Sequence, residues 1–436
     1  MTRFQQLTVV ALITLLSACS GNLQYRTAND LCSGAEVINS CSKHTLQQYN
    51  DAGNPDKDYL LGFIEFDDQG QLHSREQMNA VIGKIAAETA EQDLLMVVFV
   101  HGWKHNADVN DSNITDFRNS LMRLSVLESK TSRAEGRKAR KIAGVYLGWR
   151  GESIDVPYLD NITFWDRKST AHKVGRGGVT EVLTRLEQIR RAKKQENPDG
   201  TEQPGNTRLV IIGHSFGGAI VYSALSQVLM TEFIKTSGNY GVSSHASGFG
   251  DLVVLINPAF EALRYAPLAD MANERGTYFP GQLPVLAVLT SEADLATKWA
   301  FWAGRLFSTA LEKHRTVNRY NRASKSEQSI SQGSADRTAI GHFEPYMTHR
   351  LLPDNSPPGQ SAPSVKQVMQ GWQNDAPGGV IRFPGSKLKH LNNSVARNPY
   401  LIIQVDKEII PGHSEIYDPR VADFLSHFVL LSTQSN

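Results

Sequence analysis

Seven short apolar runs, tens of residues apart, constrain this chain more than any other feature. They are YLLGFIEF from Tyr59, LLMVVFVHGW from Leu94, KIAGVYLGWRG from Lys141, RLVIIGHS from Arg208, DLVVLINPAF from Asp251, LPVLAVLTSEAD from Leu283 and YLIIQVD from Tyr400. Each is nearly continuous in Val, Ile and Leu, the pattern of a strand buried on both faces of a parallel sheet. Helical or polar segments lie between them. Ser74 stands three residues before Gln77, as in a capping box, and Met78, Val81, Ile82 and Ile85 follow at helical spacing. The alternation predicts an α/β fold: a doubly wound, mostly parallel sheet flanked by helices. Ligands of such sheets sit beyond the carboxyl ends of the strands, where each run here turns polar or glycine-rich.

One interval breaks the rhythm. Between Asp294 and Tyr400 no convincing buried strand is visible, which is far longer than a normal connection and predicts an insertion between the last two strands. Its first part sets Leu295, Trp299, Trp302 and Leu306 near one helical face, and PDNSPPGQSAP from Pro353 has the composition of an exposed linker. The expected organisation is an α/β core over 59–294 and 395–436, an insertion or cap over 295–394, and a polar N-terminal linker over 19–58.

The first residues read as an export signal. Arg3 precedes an apolar run from Leu7 to Leu16 that is too short to span a bilayer, which takes about 20 residues. Leu16-Ser17-Ala18-Cys19 resembles the bacterial lipobox. That resemblance implies cleavage after residue 18, lipidation of Cys19 and, with Ser20 next, an outer-membrane lipoprotein. Cys32 and Cys41 then remain, an even pair that suggests one disulfide in an exported chain. No His pairs with them at zinc-like spacing, so no metal site is expected there. Lys and Arg number 45 against 44 Asp and Glu, a balance that leaves no field to attract nucleic acid.

The stretch RLVIIGHSFGGAI, Arg208 to Ile220, carries the chemistry. Chance alone would supply roughly 0.2 matches to G-x-S-x-G in a chain with 34 glycines, so context must decide. Here Ser215 follows a buried-type strand, Gly213 and Gly217 permit a sharp turn, and a helical pattern resumes at once. On these residues the chain resembles the α/β-hydrolase superfamily from about Tyr59 onward, with no G-x-G-x-x-G to favour a dinucleotide site.

The resemblance implies a serine nucleophile, an acid and a histidine in that chain order. Ser215 is the nucleophile. The backbone N–H groups of Phe216 and of Trp103, in the turn VFVHGWKHN, are the expected oxyanion donors, with Gly102 allowing close approach and His101 orienting the turn. Asp294 is the preferred acid and Glu292 the alternative, both at the end of one strand. His413, in IIPGHSEIYDP ahead of a helix capped by Asp418 and Pro419, is the expected base. His342 and His349, inside the insertion, are read as structural or substrate-facing. Such a triad cleaves esters through an acyl-enzyme and needs neither metal nor organic cofactor. The expected substrate is an ester-containing small molecule or a lipid; an acyltransferase, a peptidase, a thioesterase or a non-catalytic envelope lipoprotein on the same scaffold are the rival readings.

Three features fall outside this scheme. Arg150 in GWRGESIDVP could stand near the mouth of the site, with a buried ion pair that holds its loop as the commoner reading, and Phe164 to Lys168 reads as a packed helix entrance more often than as a binding patch. Lys313, Arg315, Arg319, Arg322 and Lys325 form a basic series that reads either as a solvated face or as a contact for anionic head groups.

Overall fold

The computed structural model describes residues 23–35, 40–151, 160–196, 202–234, 245–300, 312–355 and 361–434. Strands β1 to β5 are Ala28–Gly34, His44–Tyr49, Tyr59–Phe66, Leu94–Val100 and Lys141–Trp149. β6 (Lys194–Glu196) and β7 (Glu202–Pro204) form a small hairpin, followed by β8 (Arg208–His214), β9 (Leu252–Ile256) and β10 (Leu286–Ser291). A second hairpin, β11 (Thr316–Asn321) with β12 (Ser326–Ser331), precedes β13 (His349–Pro353), β14 (Val380–Phe383), β15 (Ser386–His390) and β16 (Tyr400–Val405). The helices are α1 (Arg75–Glu91), α2 (Ser112–Glu135), α3 (Asp160–Arg176), α4 (Gly178–Ala192), α5 (Phe216–Ile234), α6 (Ala262–Arg275), α7 (Gln332–Arg337), α8 (Val365–Gln373) and α9 (Pro419–Ser432).

Twelve strands make one sheet in the order β1-β2-β3-β5-β4-β8-β9-β10-β16-β13-β15-β14. From β3 to β13 every neighbouring pair is parallel. The central strands follow the sequence reading because every residue of β3, β4, β9 and β10 is buried. Alternate residues feed opposite layers. Leu60, Ile64, Met96 and Val98 pack with α1, α4, α5 and α6 on one face, while Leu61, Phe63, Val97 and Phe99 pack with α2, α8 and α9 on the other.

Both ends of the sheet depart from expectation. The N-terminal stretch read as a linker supplies β1 and β2, and the Cys32–Cys41 disulfide closes the loop between them. Glu65, 2 % exposed, accepts from the backbone N–H groups of Tyr25 and Arg26 and so fastens that stretch to β3. Gln77 helps by donating to Glu65 and to the Arg26 carbonyl. The Ser74 cap is present, but Gln77 serves the core instead of completing a capping box.

The interval 295–394 contributes three strands to the sheet, which corrects the reading that it holds none. β13 lies parallel to β16, with β15 and β14 continuing antiparallel beyond it. Residues 1–18 and Cys19, Trp302 and Leu306 of the expected aromatic helix, and residues 356–360 of the PDNSPPGQSAP stretch lie outside the described residues. Among the described residues no helix is long and apolar enough to cross a membrane.

Candidate active site

The turn from β8 into α5 forces Ser215 into the left-handed backbone region, at φ 54°. A non-glycine residue held there costs on the order of 1–3 kcal/mol, so the surroundings must impose it. They do so through hydrogen bonds from Ser215 N–H to the Ile256 carbonyl (2.9 Å) and from Ala259 N–H to the Ser215 carbonyl (3.1 Å). The flanking glycines are sterically required. A Cβ on Gly217 would lie 2.0 Å from the Val100 carbonyl oxygen, and one on Gly213 would lie 2.7 Å from that of Gly217.

Two loops from distant strands complete the arrangement. After β16, His413 places Nε2 2.7 Å from Ser215 Oγ. After β10, Asp294 places Oδ1 2.9 Å from His413 Nδ1. Serine and aspartate are sealed, at 3 % and 0 % exposure, whereas the imidazole side chain is 23 % exposed. Burial pulls the Asp294 carboxyl upward in pKa, but the hydrogen bonds from His413 and Thr297 outweigh it and hold the group below its usual value.

The aspartate has its own support. Thr297 donates its backbone N–H to Oδ1 (3.1 Å) and its hydroxyl to Oδ2 (2.5 Å). With that hydroxyl hydrogen committed, Thr297 Oγ1 accepts from His342 Nε2 at 3.0 Å. His342 therefore stands behind the acid as a structural residue. The histidine loop is pinned through its carbonyls: that of His413 accepts from Asn257 Nδ2 (2.8 Å) and His214 Nε2 (2.9 Å), and that of Ile410 from the Ser291 hydroxyl. Burial, with the neighbouring His413, drives the His214 pKa down to about 3, so it is a neutral donor.

Trp103 and Phe216 both border the serine. Phe216 is the first residue of α5, and Trp103 follows Gly102, where a Cβ would lie 2.8 Å from that of Ser215. His101 shapes this turn. Its Nδ1–H donates to the Gly102 carbonyl (2.9 Å), its Nε2 accepts from Trp149 N–H (3.0 Å), and its ring stacks on Trp149. Both nitrogens are engaged, and burial pushes its pKa down to about 4; His101 is a strut.

The remaining sequence expectations separate cleanly. Glu292 accepts from Lys407 N–H at 3.3 Å, while the His413 contact goes to Asp294. Arg150 pairs with Asp68, and Lys168 pairs with Glu261 at 2.6 Å. Side chains of Phe164 to Arg167 lie outside the described residues. Of the basic series, Arg319 is paired with Asp270 at 2.9 Å, and Lys313, Arg315, Arg322 and Lys325 are exposed around the β11–β12 hairpin. His349 is in a buried cluster away from the serine. Asn257 and His214 escape sequence reasoning because the His413 carbonyl they hold is distant in the chain, whereas Thr297 stands only three residues after Asp294 and its spacing was the signal that could have found it.

No family model, curated protein or solved structure matches the chain.

Proposed function

We propose that the protein is a serine hydrolase of α/β-hydrolase type that cleaves carboxylic esters through an acyl-enzyme. The reading rests on one observation: a continuous path of 2.7 and 2.9 Å from a strained serine hydroxyl through an imidazole to a buried carboxylate. His413 Nε2 removes the Ser215 proton as Oγ attacks the ester carbonyl, and Asp294 holds the tautomer and stabilises the imidazolium. The backbone amides of Phe216 and Trp103 receive the oxyanion in this scheme. His413 then protonates the leaving alcohol. Water, activated by the same imidazole, attacks the acyl-enzyme and restores the hydroxyl.

The elbow geometry, the order Ser215, Asp294, His413 along the chain, and their position at carboxyl ends of parallel strands all favour this family assignment. Attachment to the bacterial cell envelope through a lipidated Cys19 completes the proposal. A fluorophosphonate probe is expected to label the folded protein, and Ser215→Ala to abolish labelling and cut ester hydrolysis by about 10⁴-fold or more. Labelling retained by Ser215→Ala, or absent from the folded wild type, overturns the mechanism. In the native host Cys19→Ala should release the enzyme from the membrane fraction; retention there overturns the anchor alone.

A further inference from the structure

On the far side of β16 a second group of titratable side chains is sealed inside the protein. His349 opens β13 and His390 closes β15, and the two face each other as a cross-strand pair. Asp375 follows α8. Their exposures are 0 %, 1 % and 4 %. His390 Nδ1 lies 2.9 Å from Asp375 Oδ2, yet the approach is out of line for a hydrogen bond.

The hydrogen-bond inventory leaves this cluster incomplete. Thr348 Oγ1 accepts from Ile402 N–H at 2.9 Å and donates to the Ile402 carbonyl at 3.2 Å. In that arrangement its remaining lone pair takes the hydrogen of His349 Nδ1, 2.8 Å away, and His349 Nε2 is a bare acceptor. Nε2 of His349, both ring nitrogens of His390 and Oδ1 of Asp375 have no hydrogen-bond partner among the described residues. Neither ring serves the other: the planes are stacked, with centroids 4.4 Å apart and 25° between them, so an in-plane N–H of one cannot point at the other. A buried polar atom without a partner destabilises the fold, and a single electrophile in their midst would satisfy several of these atoms together.

We propose that His349, His390 and Asp375 bind a structural zinc ion. One ligand atom from each lies within 4.8 Å of the others. A tetrahedral zinc with bonds of about 2.0–2.1 Å spaces its ligand atoms by roughly 3.3 Å, so rotation of the His390 ring, which no hydrogen bond holds, out of its stack on His349 closes the set around it, with water in the fourth position. Two imidazoles with one carboxylate suit zinc better than the hard cations calcium or magnesium. Thr348 is the outer partner that fixes the ring of His349, as such ligands require. The role is structural, because the cluster is closed to solvent and β13 is four strand spacings from β8, roughly 19 Å. The ion ties together β13, β15 and the end of α8, the pieces that extend the sheet beyond β16.

The test uses the untagged full-length chain, exposed to zinc sulfate, desalted, and assayed for bound metals. The expected content is about one zinc per chain, with His349→Gln and Asp375→Asn each falling below about 0.2. Cobalt substitution of the wild type should give the visible absorption of a four-coordinate site, a readout that stands even if a variant fails to fold. Dipicolinate should lower the wild-type melting temperature and leave that of a folded Asp375→Asn unchanged. Zinc content below about 0.1 per chain without a cobalt spectrum, or full zinc occupancy in both folded variants, overturns the proposal. An ordered water in place of the ion gives the first of those results.

Discussion

Two histidine–aspartate pairs share one sheet, each with Nδ1 2.9 Å from a carboxylate oxygen, and their surroundings are opposite. The His413 side chain is 23 % exposed and its other nitrogen meets the Ser215 hydroxyl at 2.7 Å; that of His390 is fully enclosed and its ring meets a second imidazole face to face. In the mechanism proposed above, a proton taken up at His413 comes from the Ser215 hydroxyl and leaves with an alcohol. At His390 there is no such donor and no route out. A histidine–aspartate pair thus acquires its chemistry from what faces the second nitrogen and from access to solvent, and the pair itself is common to both.

The sharpest way to break this comparison is to make one substitution at both sites. Asp294→Asn is expected to slow acylation by a p-nitrophenyl ester on the order of 10³–10⁴-fold, because the amide cannot hold the tautomer or stabilise the imidazolium. Asp375→Asn is expected to leave acylation per folded molecule within about two-fold while lowering stability by about 3 kcal/mol, the scale of breaking a buried pair. Pre-steady-state kinetics and urea unfolding of the two variants measure both effects. Equal kinetic losses would erase the distinction between the sites.

The two regions also differ in how legible they were beforehand. Ser215, Asp294 and His413 could be named because each follows a largely apolar run, and the resemblance to a serine, acid and histidine order supplied their roles. β13 gave no such signal: HRLLP buries His349 and Leu351, exposes Arg350 and ends in a half-exposed Leu352 and Pro353. Its place is secured by pairing with β16 and β15, which are distant in sequence. β2 was hidden for a related reason. Thr45 and Gln47 are buried polar residues, satisfied by Asn29 and by the Cys41 carbonyl, and polar letters do not announce a strand. Periodicity reports what a residue is made of, whereas these segments are held by the partners they find.

A smaller effect sharpens the description of the acid. Asp294 receives two hydrogen bonds from Thr297, while Asp375 receives one, at Oδ2, from the backbone N–H of Arg397 at 3.0 Å. Thr297→Val keeps the shape and removes one hydroxyl bond to the carboxylate. The expected result is a fall in kcat of about 10-fold with KM unchanged, equivalent to ~1.4 kcal/mol of transition-state stabilisation. Thr297→Ser should restore most of it. A rise in KM at constant kcat would instead make Thr297 a substrate contact and remove it from the support of Asp294.

The smallest expected effect concerns three histidines without a carboxylate hydrogen-bond partner, His101 and His214 fully buried and His172 partly so. Burial holds the pKa of His101 and His172 down to about 4 and that of His214 down to about 3; Arg264 adds to the effect at His172. All three are neutral in the folded chain. Unfolded, they titrate near their ordinary value of about 6.5. Below that pH the unfolded chain takes up protons that the native state refuses, so each group removes about 1.4 kcal/mol of stability per pH unit until its folded pKa is reached. Their contribution is complete above pH ~6.5 and declines on acidification. His172, which contacts Ser223 and Arg264 away from the serine loop, is the one to test. His172→Gln is expected to make the pH dependence of the urea unfolding free energy between about pH 6 and 5 shallower by up to that amount. An unchanged slope would mean that water reaches the ring in the folded state, and the contrast between sealed and accessible imidazoles would then be narrower than the two histidine–aspartate pairs imply.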